Sequence, residues 1–334
     1  MKTVDVIIPT YQPDKKLFQL LDQLCEQTVP VEKVILMNTE EKFFDRLIYG
    51  THFNEKYINV KVYHLSKKEF DHGNTRNLGV KHSDSDIFVM MTQDAIPADH
   101  ELIEKLIEPL LQNEDVVVSY ARQLPAEDCR EMERYTRSFN YPEKSRIKSI
   151  QDLDELGIKT FFCSNVCAAY KREAFLESGG FSKHTIFNED MIYAATALKA
   201  GKKIAYAADA RVIHSHNYSA MQQLKRNFDL GVSQADHPEI FADVQSESEG
   251  IRLVRETARY LKSRNKKNEI PLLYMHSAFK YMGYQLGKRY KKLPKKTIWR
   301  LTSDRDYWRH YQMKKEVSSI DAAKGYGKNE EKEG

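Results

Sequence analysis

Cysteine is scarce in this chain of 334 residues: Cys25, Cys129, Cys163 and Cys167 form no C-x-x-C pair. That spacing argues against a zinc knuckle and against a disulfide framework, and leaves reduced thiols in a reducing compartment as the expectation. Glycine is also sparse, at 14 residues, and nowhere forms G-x-G-x-x-G or G-x-x-x-x-G-K-[ST]. Dinucleotide and P-loop sites therefore lose their main sequence support. Long apolar runs are missing too. None approaches the roughly 18 residues that span a bilayer, and Met1 leads almost at once into a strand-like run, so neither a membrane span nor a signal peptide is expected. Charge of one sign is lacking, because the formal net charge of +4 is too small to name a partner. No internal repeat is visible.

What is present suffices for a substantial core. Hydrophobic residues make up 41% of the chain and charged residues 30%, and the length exceeds one typical domain. Val4 to Ile8, ended by Pro9, reads as a buried strand, as do Val34 to Met37, Ile87 to Met91 and Val116 to Tyr120. Val60, Val62 and Leu65 make a weaker one. Between them, Leu17, Leu20, Leu21 and Leu24 share one helical face, and so do Leu102, Ile103, Leu106, Ile107 and Leu110. Apolar strands alternating with amphipathic helices predict an α/β fold with a mostly parallel, Rossmann-like sheet flanked by helices. Leu124 to Gly157 reads as an irregular insertion with short helices. Arg172 to Phe181 reads as a short helix closed by Gly179-Gly180, and Asn188 can cap a helix that opens with Glu189-Asp190 and stops at Gly201. Lys203 to Ala207 and Ala210 to Ile213 are expected as two short strands. After Tyr218 the pattern is helical. The expected division is 1–219 for the α/β unit, 220–317 for a basic helical region and 318–334 for a disordered tail.

Several polar residues follow strands, where open α/β sheets bind ligands. Pro9-Thr10-Tyr11 can stack on and bond a nucleobase, or can be an ordinary turn. Asp71 to Asn77 forms a Gly-bearing polar turn before a helix start at Thr75, which suits a phosphate with Arg76 nearby; it equally suits a capped helix with a solvated arginine. Asp94 can bind a divalent metal that bridges a diphosphate, or can be a turn residue ahead of Pro97. Glu189 and Asp190 suit a helix N-terminus electrostatically, and a neighbouring acid can also raise the pKa of a general base. His214 and His216 share one face if the backbone there is extended, as metal or phosphate ligands or as structural histidines.

The order of these pieces carries more than any one of them. Val-Asp-Val-Ile-Ile-Pro-Thr-Tyr at 4–11, Arg76-Asn77-Leu78-Gly79, a strand leading to Asp94, Arg172-Glu-Ala-Phe through Gly179-Gly180-Phe181, and Glu189-Asp190 resemble glycosyltransferase family 2 over about Lys2 to Ser219. The Gln93-Asp94-Ala95-Ile96-Pro97 stretch and the His-Gly-x-x-Arg-Asn-Leu-Gly turn are most similar to bacterial rhamnosyltransferases that use dTDP-L-rhamnose for surface polysaccharide. The resemblance implies a GT-A fold, a nucleotide-sugar donor, Mg²⁺ or Mn²⁺, and inversion at the anomeric carbon. It places Pro9, Thr10, Tyr11, Asn38, Glu40, Arg76, Gln93 and Asp94 on the donor side, with Asn38 where the family often has an acid. Asp190 becomes the base, with Glu189 beside it. Thr92 replaces the first acid of the family's Asp-x-Asp, so Asp94 must share a metal with groups outside this stretch, His214 or His216.

The basic C-terminal helices carry Lys288-Arg289-Tyr290-Lys291-Lys292 and Lys295-Lys296, close to Tyr281, Met282, Tyr284, Trp299 and Trp308. Such a surface suits peripheral contact with an anionic membrane and a lipid-linked glycan acceptor at its inner, cytoplasmic face. A solvated appendage or a homo-oligomer contact explains it as simply. No nucleic-acid motif accompanies the patch. Two further readings stand beside a rhamnosyltransferase: a transferase using another donor such as a UDP-hexose, and a non-catalytic scaffold of the same fold, suggested by Thr92.

Overall fold

The computed structural model describes residues 2–242 and 247–309. Its strands are β1 (Val4–Tyr11), β2 (Lys33–Thr39), β3 (Val60–Leu65), β4 (Ile87–Met91), β5 (Ile96–Pro97), β6 (Val116–Leu124), β7 (Arg146–Lys148), β8 (Cys167–Lys171) and β9 (Lys203–Ile213). They join in one sheet in the order β3-β2-β1-β4-β8-β6-β9-β5, with β7 also on β9. From β3 to β4 every pairing is parallel. Beyond β4 the sheet is mixed, because β8 runs antiparallel to both β4 and β6 while β6 and β9 are parallel. The parallel half is buried on both faces, which is why its strands read as unbroken apolar runs. Successive residues then serve opposite layers. Ile8 and Val89 pack on the side of the Lys15–Cys25 and Leu102–Gln112 helices, whereas Ile7 and Met90 face Phe175, Phe181 and the Glu189–Lys199 helix.

The elements differ from the sequence expectation in places that have physical reasons. The expected pair of strands at 203–213 is one strand, β9, whose register against β6 shifts between Ala121 and Arg122, so that an irregularity absorbs Ala208, Asp209 and Ala210. The segment 124–157 contains a full helix, Glu131–Asn140, and the short strand β7. Asn188 does occupy the N-cap position, but in the left-handed region at φ 65° and without a side-chain cap bond; its amide is turned toward Ser233 Oγ, 3.5 Å away. Before it, the stretch read as a Gly-bearing turn is already helical. Asp71 is the cap, accepting from Asn74 N at 2.7 Å, and the helix runs His72–Lys81.

Gly73 lies inside that helix for the sake of a neighbour rather than a turn. A Cβ there would stand 1.9 Å from the carbonyl oxygen of Ser182. One turn later, the Asn77 side chain grips the backbone of Phe181, donating to its carbonyl and accepting from its N–H, each at 2.9 Å. The two glycine-bearing motifs at 73–79 and 179–181 are therefore one packed unit.

The C-terminal helices close around the same unit. Ala220–Asp236 and Ile270–Lys288 approach so nearly that a Cβ at Gly283 or Gly287 would lie 2.1 Å from the carbonyl of Leu224 or Phe228. Ile186, just before the Glu189 helix, packs in one cluster with Phe228, Val232, Tyr290, Ile298 and Trp308. Trp308 is thus buried, its ring 5.3 Å from that of Tyr290, instead of meeting a membrane. Met132 joins Ala258, Leu261 and Leu273 in another cluster. The tail expected at 318–334 lies outside the described residues.

Gly73→Ala should lower stability by about 1–3 kcal/mol through overpacking against Ser182, read as a lower urea midpoint at unchanged slope.

Candidate active site

The C-terminal ends of β1, β2 and β4 form a polar shelf. Thr10 and Asn38 are register partners on β1 and β2, and Asn38 is the partner of His64 on β3. Thr10 Oγ1 donates to Asn38 Oδ1 at 3.0 Å, and Asn38 Nδ2 approaches His64 Nδ1 at 3.0 Å. Thr10 and Asn38 are buried, so both side chains are held within the sheet. Pro9 is half-buried beneath the shelf. Tyr11 is its exposed lip, edge-on to Phe43 at 5.7 Å and capped by Lys67 Nζ at 5.4 Å from the ring centre. Gln93 clamps that lip: it accepts from Tyr11 N at 2.9 Å and donates to Tyr11 O at 3.1 Å. Glu40, at φ 66°, accepts from Lys67 N at 2.7 Å and pairs with Lys42. Sequence reasoning missed His64 and Lys67; only their places at and just after the end of the third strand could have signalled them.

Arg76 does not stand at the surface. Its Nη1 donates to His72 O at 2.9 Å and lies 3.3 Å from Glu189 Oε1, both side chains being nearly inaccessible at 9% and 7%. The guanidinium Nε has no hydrogen-bond partner among the described residues. Burial pulls the Glu189 pKa upward, but Arg76 and His72 outweigh it and hold the carboxylate below its ordinary value. Asn165 Nδ2 adds a hydrogen bond at 3.1 Å. Burial, first of all, keeps His72 below its ordinary pKa, and Arg76 lowers it further.

Asp190, next along the helix, is half-buried. Its two oxygens accept from the backbone of Asn165 at 2.9 Å and of Met191 at 2.8 Å. Burial disfavours its charge and the fixed negative charge of Glu189 opposes it again, so its pKa rises to about 7. Two adjacent acids with opposite shifts divide the labour between an ionised anchor and a group able to take a proton near neutral pH.

Across the shelf, Asp94 meets both histidines. Its oxygens lie 3.6 Å from His214 Nε2 and 3.3 Å from His216 Nε2, and the two Nε2 atoms are 3.1 Å apart. Gln123 fixes the chemistry of this cluster. Its Nε2 donates to Ser164 Oγ at 3.0 Å, and its Oε1 accepts from Arg137, so it must also accept from His214 Nδ1 at 3.0 Å. His214 therefore carries its proton on Nδ1 and aims an unprotonated nitrogen at a carboxylate. Burial keeps both rings neutral, pushing His214 down to about 3 and lowering His216 as well. Two neutral imidazoles and one carboxylate, with ligand atoms within 4.8 Å of one another, can hold a metal ion. An ion about 2.1 Å from each ligand separates neighbouring ligands by roughly 3.0 Å at right angles or 3.4 Å in a tetrahedron, close to the spacings here. Thr92, in place of an acid, keeps its Oγ1 buried in the wall without a hydrogen-bond partner among the described residues and adds no ligand. Ser164, bonded to Gln123, and Asn165, bonded to Asp190, are consecutive residues, so one short segment ties the two halves of the site together.

Residues 5–179 match the profile described as glycosyl transferase family 2. This chain belongs to that family. Among family 2 relatives, the O-antigen chain rhamnosyltransferase RfbN of Salmonella typhimurium is 37% identical over 315 residues, covering 92% of this chain and 97% of its own. The O-antigen chain rhamnosyltransferase WbaN of Salmonella anatum is 36% identical over 315 residues, covering 93% and 98%. A solved mannosyltransferase of Pyrobaculum calidifontis, in complex with GDP-mannose and Mn²⁺, superposes with a TM-score of 0.56 over 87% of this chain and 86% of its own, at 15% identity. That likeness speaks for the GT-A-like fold. The chain is a glycosyltransferase, and relatives named as transferases give the scaffold reading no support.

Arg76→Met should destabilise the protein by about 3–5 kcal/mol, because it strands a buried carboxylate. Arg76→Met combined with Glu189→Met should recover most of that loss in chemical denaturation.

Proposed function

We propose that this family 2 enzyme moves L-rhamnose from dTDP-L-rhamnose, with inversion, onto a hydroxyl of a lipid-linked glycan at the inner face of the cytoplasmic membrane. The sugar is supported by two relatives named as O-antigen rhamnosyltransferases whose alignments cover nearly the whole chain. One observation carries the chemistry: a carboxyl group poised near neutrality, Asp190, is joined through Asn165 and Ser164 to the Asp94–His214–His216 cluster. Direct displacement needs those two functions on opposite sides of the reacting carbon.

In this reading Asp190 accepts the proton of the acceptor hydroxyl, whose oxygen forms the new bond to the anomeric carbon as the bond to the diphosphate breaks. Tyr11 and Gln93 define the base end of the donor site, with Pro9, Thr10, Asn38 and Glu40 shaping the shelf behind them. Arg76 acts through Glu189, holding it ionised, and thereby keeps Asp190 basic enough to work. Asp94, His214 and His216 would hold the divalent ion, which when bound supplies positive charge for the leaving diphosphate. Imidazole ligands suit Mn²⁺ better than Mg²⁺. Among the described residues no helix is long and apolar enough to cross a membrane, so the membrane placement proposed here is peripheral.

A hydrolysis screen of nucleotide sugars should show turnover of dTDP-L-rhamnose above UDP-hexoses; preference for a UDP-hexose would replace the donor assignment. Mn²⁺ should sustain more activity than Mg²⁺, and His216→Ala should weaken Mn²⁺ binding at least tenfold by calorimetry. The pH dependence follows from Asp190. Its base form is present above about pH 7 and lost as the pH falls, so kcat/KM should drop tenfold per unit on the acid side. Asp190→Asn should cost about 10²–10⁴-fold in transfer and remove that limb. Full turnover by the variant would exclude Asp190 as the base.

A further inference from the structure

Beyond the donor shelf and the metal cluster lies an open cleft that the proposed reaction leaves unassigned. It begins at His216 and Tyr218 and is walled by the start of the Glu131–Asn140 helix and by the Ile270–Lys288 helix. Three basic side chains face it: Arg130 from one wall, His276 and Lys280 from the other. The acid among its lining residues is Glu133, which pairs with Arg137 Nη2 at 2.7 Å and also favours the charge of Lys280. No carboxylate among the described residues forms an ion pair with Arg130 or Lys280. Protein surrounds the Lys280 ammonium closely enough that desolvation lowers its pKa, and desolvation acts in the same direction on His276. Lys280 is half-buried with no ion pair of its own among the described residues, and the exposed Arg130 borders the same cleft, so an anion entering it would meet both cations. Their placement on facing walls suits a group with several charged oxygens more than a single carboxylate.

We infer that this cleft is an acceptor-side subsite for a phosphoryl anion, a phosphate or diphosphate, held between Arg130 and Lys280 with His276 beside them. The subsite rests on the transferase reading above only for what the anion is attached to. Continuity with His216 puts such an anion beside the reacting centre, where it can orient an acceptor sugar attached to it. Exposed Tyr274, Met275, Tyr281 and Met282 lie on the remaining faces of the same helix, so the anion can come from an amphiphile or from a soluble compound. Both sources are open to test.

Calorimetry with inorganic pyrophosphate, free of divalent metal and with dTDP saturating the donor shelf, should show one binding event in the wild type. Lys280→Ala and Arg130→Ala should each weaken it at least tenfold, while Lys280→Arg should restore most of it and unchanged melting temperatures exclude misfolding. Equal affinity in wild type and both alanine variants, or no binding in the wild type, overturns the subsite. Phosphatidylcholine vesicles containing a polyprenyl diphosphate identify the source. Retention by the wild type, lost in Lys280→Ala, assigns an amphiphile; pyrophosphate binding without vesicle retention assigns a soluble diphosphate. The dTDP titration of the wild type is read separately. Its failure would remove the donor reading and leave the pyrophosphate result standing.

Discussion

The buried pair of Arg76 and Glu189 is the constraint on which the site depends. Arg76 comes from the helix that links β3 to β4 within the parallel half of the sheet, and Glu189 opens the helix that packs across the mixed half. Two charges removed from water this far are tolerable only when each satisfies the other. Their contact therefore fixes how the two helices meet. It also fixes the charge next to Asp190, since an ionised Glu189 is what lifts that carboxyl group beyond the effect of burial. Structure and acid–base chemistry share one interaction here.

A second economy concerns the Asp94–His214–His216 cluster. Where Thr92 leaves the strand end one acid short, β9 ends at Ile213 and delivers His214 and His216 to the same place from the far side of the sheet. Gln123 orients one ring and Ser164 orients Gln123. The cluster is thus assembled from β4, β6 and the ends of β8 and β9, so it exists only when the mixed half of the sheet is complete.

Much of this was legible in the sequence, for reasons that can be stated. Continuous apolar runs at Val4, Val34 and Ile87 reported burial on both faces, and hence the parallel core. Polar residues just past those runs reported the polar edge of the sheet, and the i,i+2 spacing of His214 and His216 reported a shared face. Illegible parts were set by partners distant in sequence. Gly73 resembled a turn residue because nothing local announces the Ser182 carbonyl against it. The pairing of Arg76 with Glu189 could not be read because that carboxylate lies in another helix. The bonds of Asn38 to Thr10 and His64 were equally hidden, since both partners lie on adjacent strands. Trp308 resembled an interfacial aromatic and is core. In each case local chemistry was read correctly and its partner was not.

The glycine contacts between the Ala220–Asp236 and Ile270–Lys288 helices have a mechanical consequence. Backbones in direct contact have no side-chain layer to yield, so the two helices move as one beam. One end of that beam begins just beyond His216 and Tyr218, and its outer surface carries the exposed tyrosines and methionines. Whatever presses on that outer surface therefore presses on both helices together.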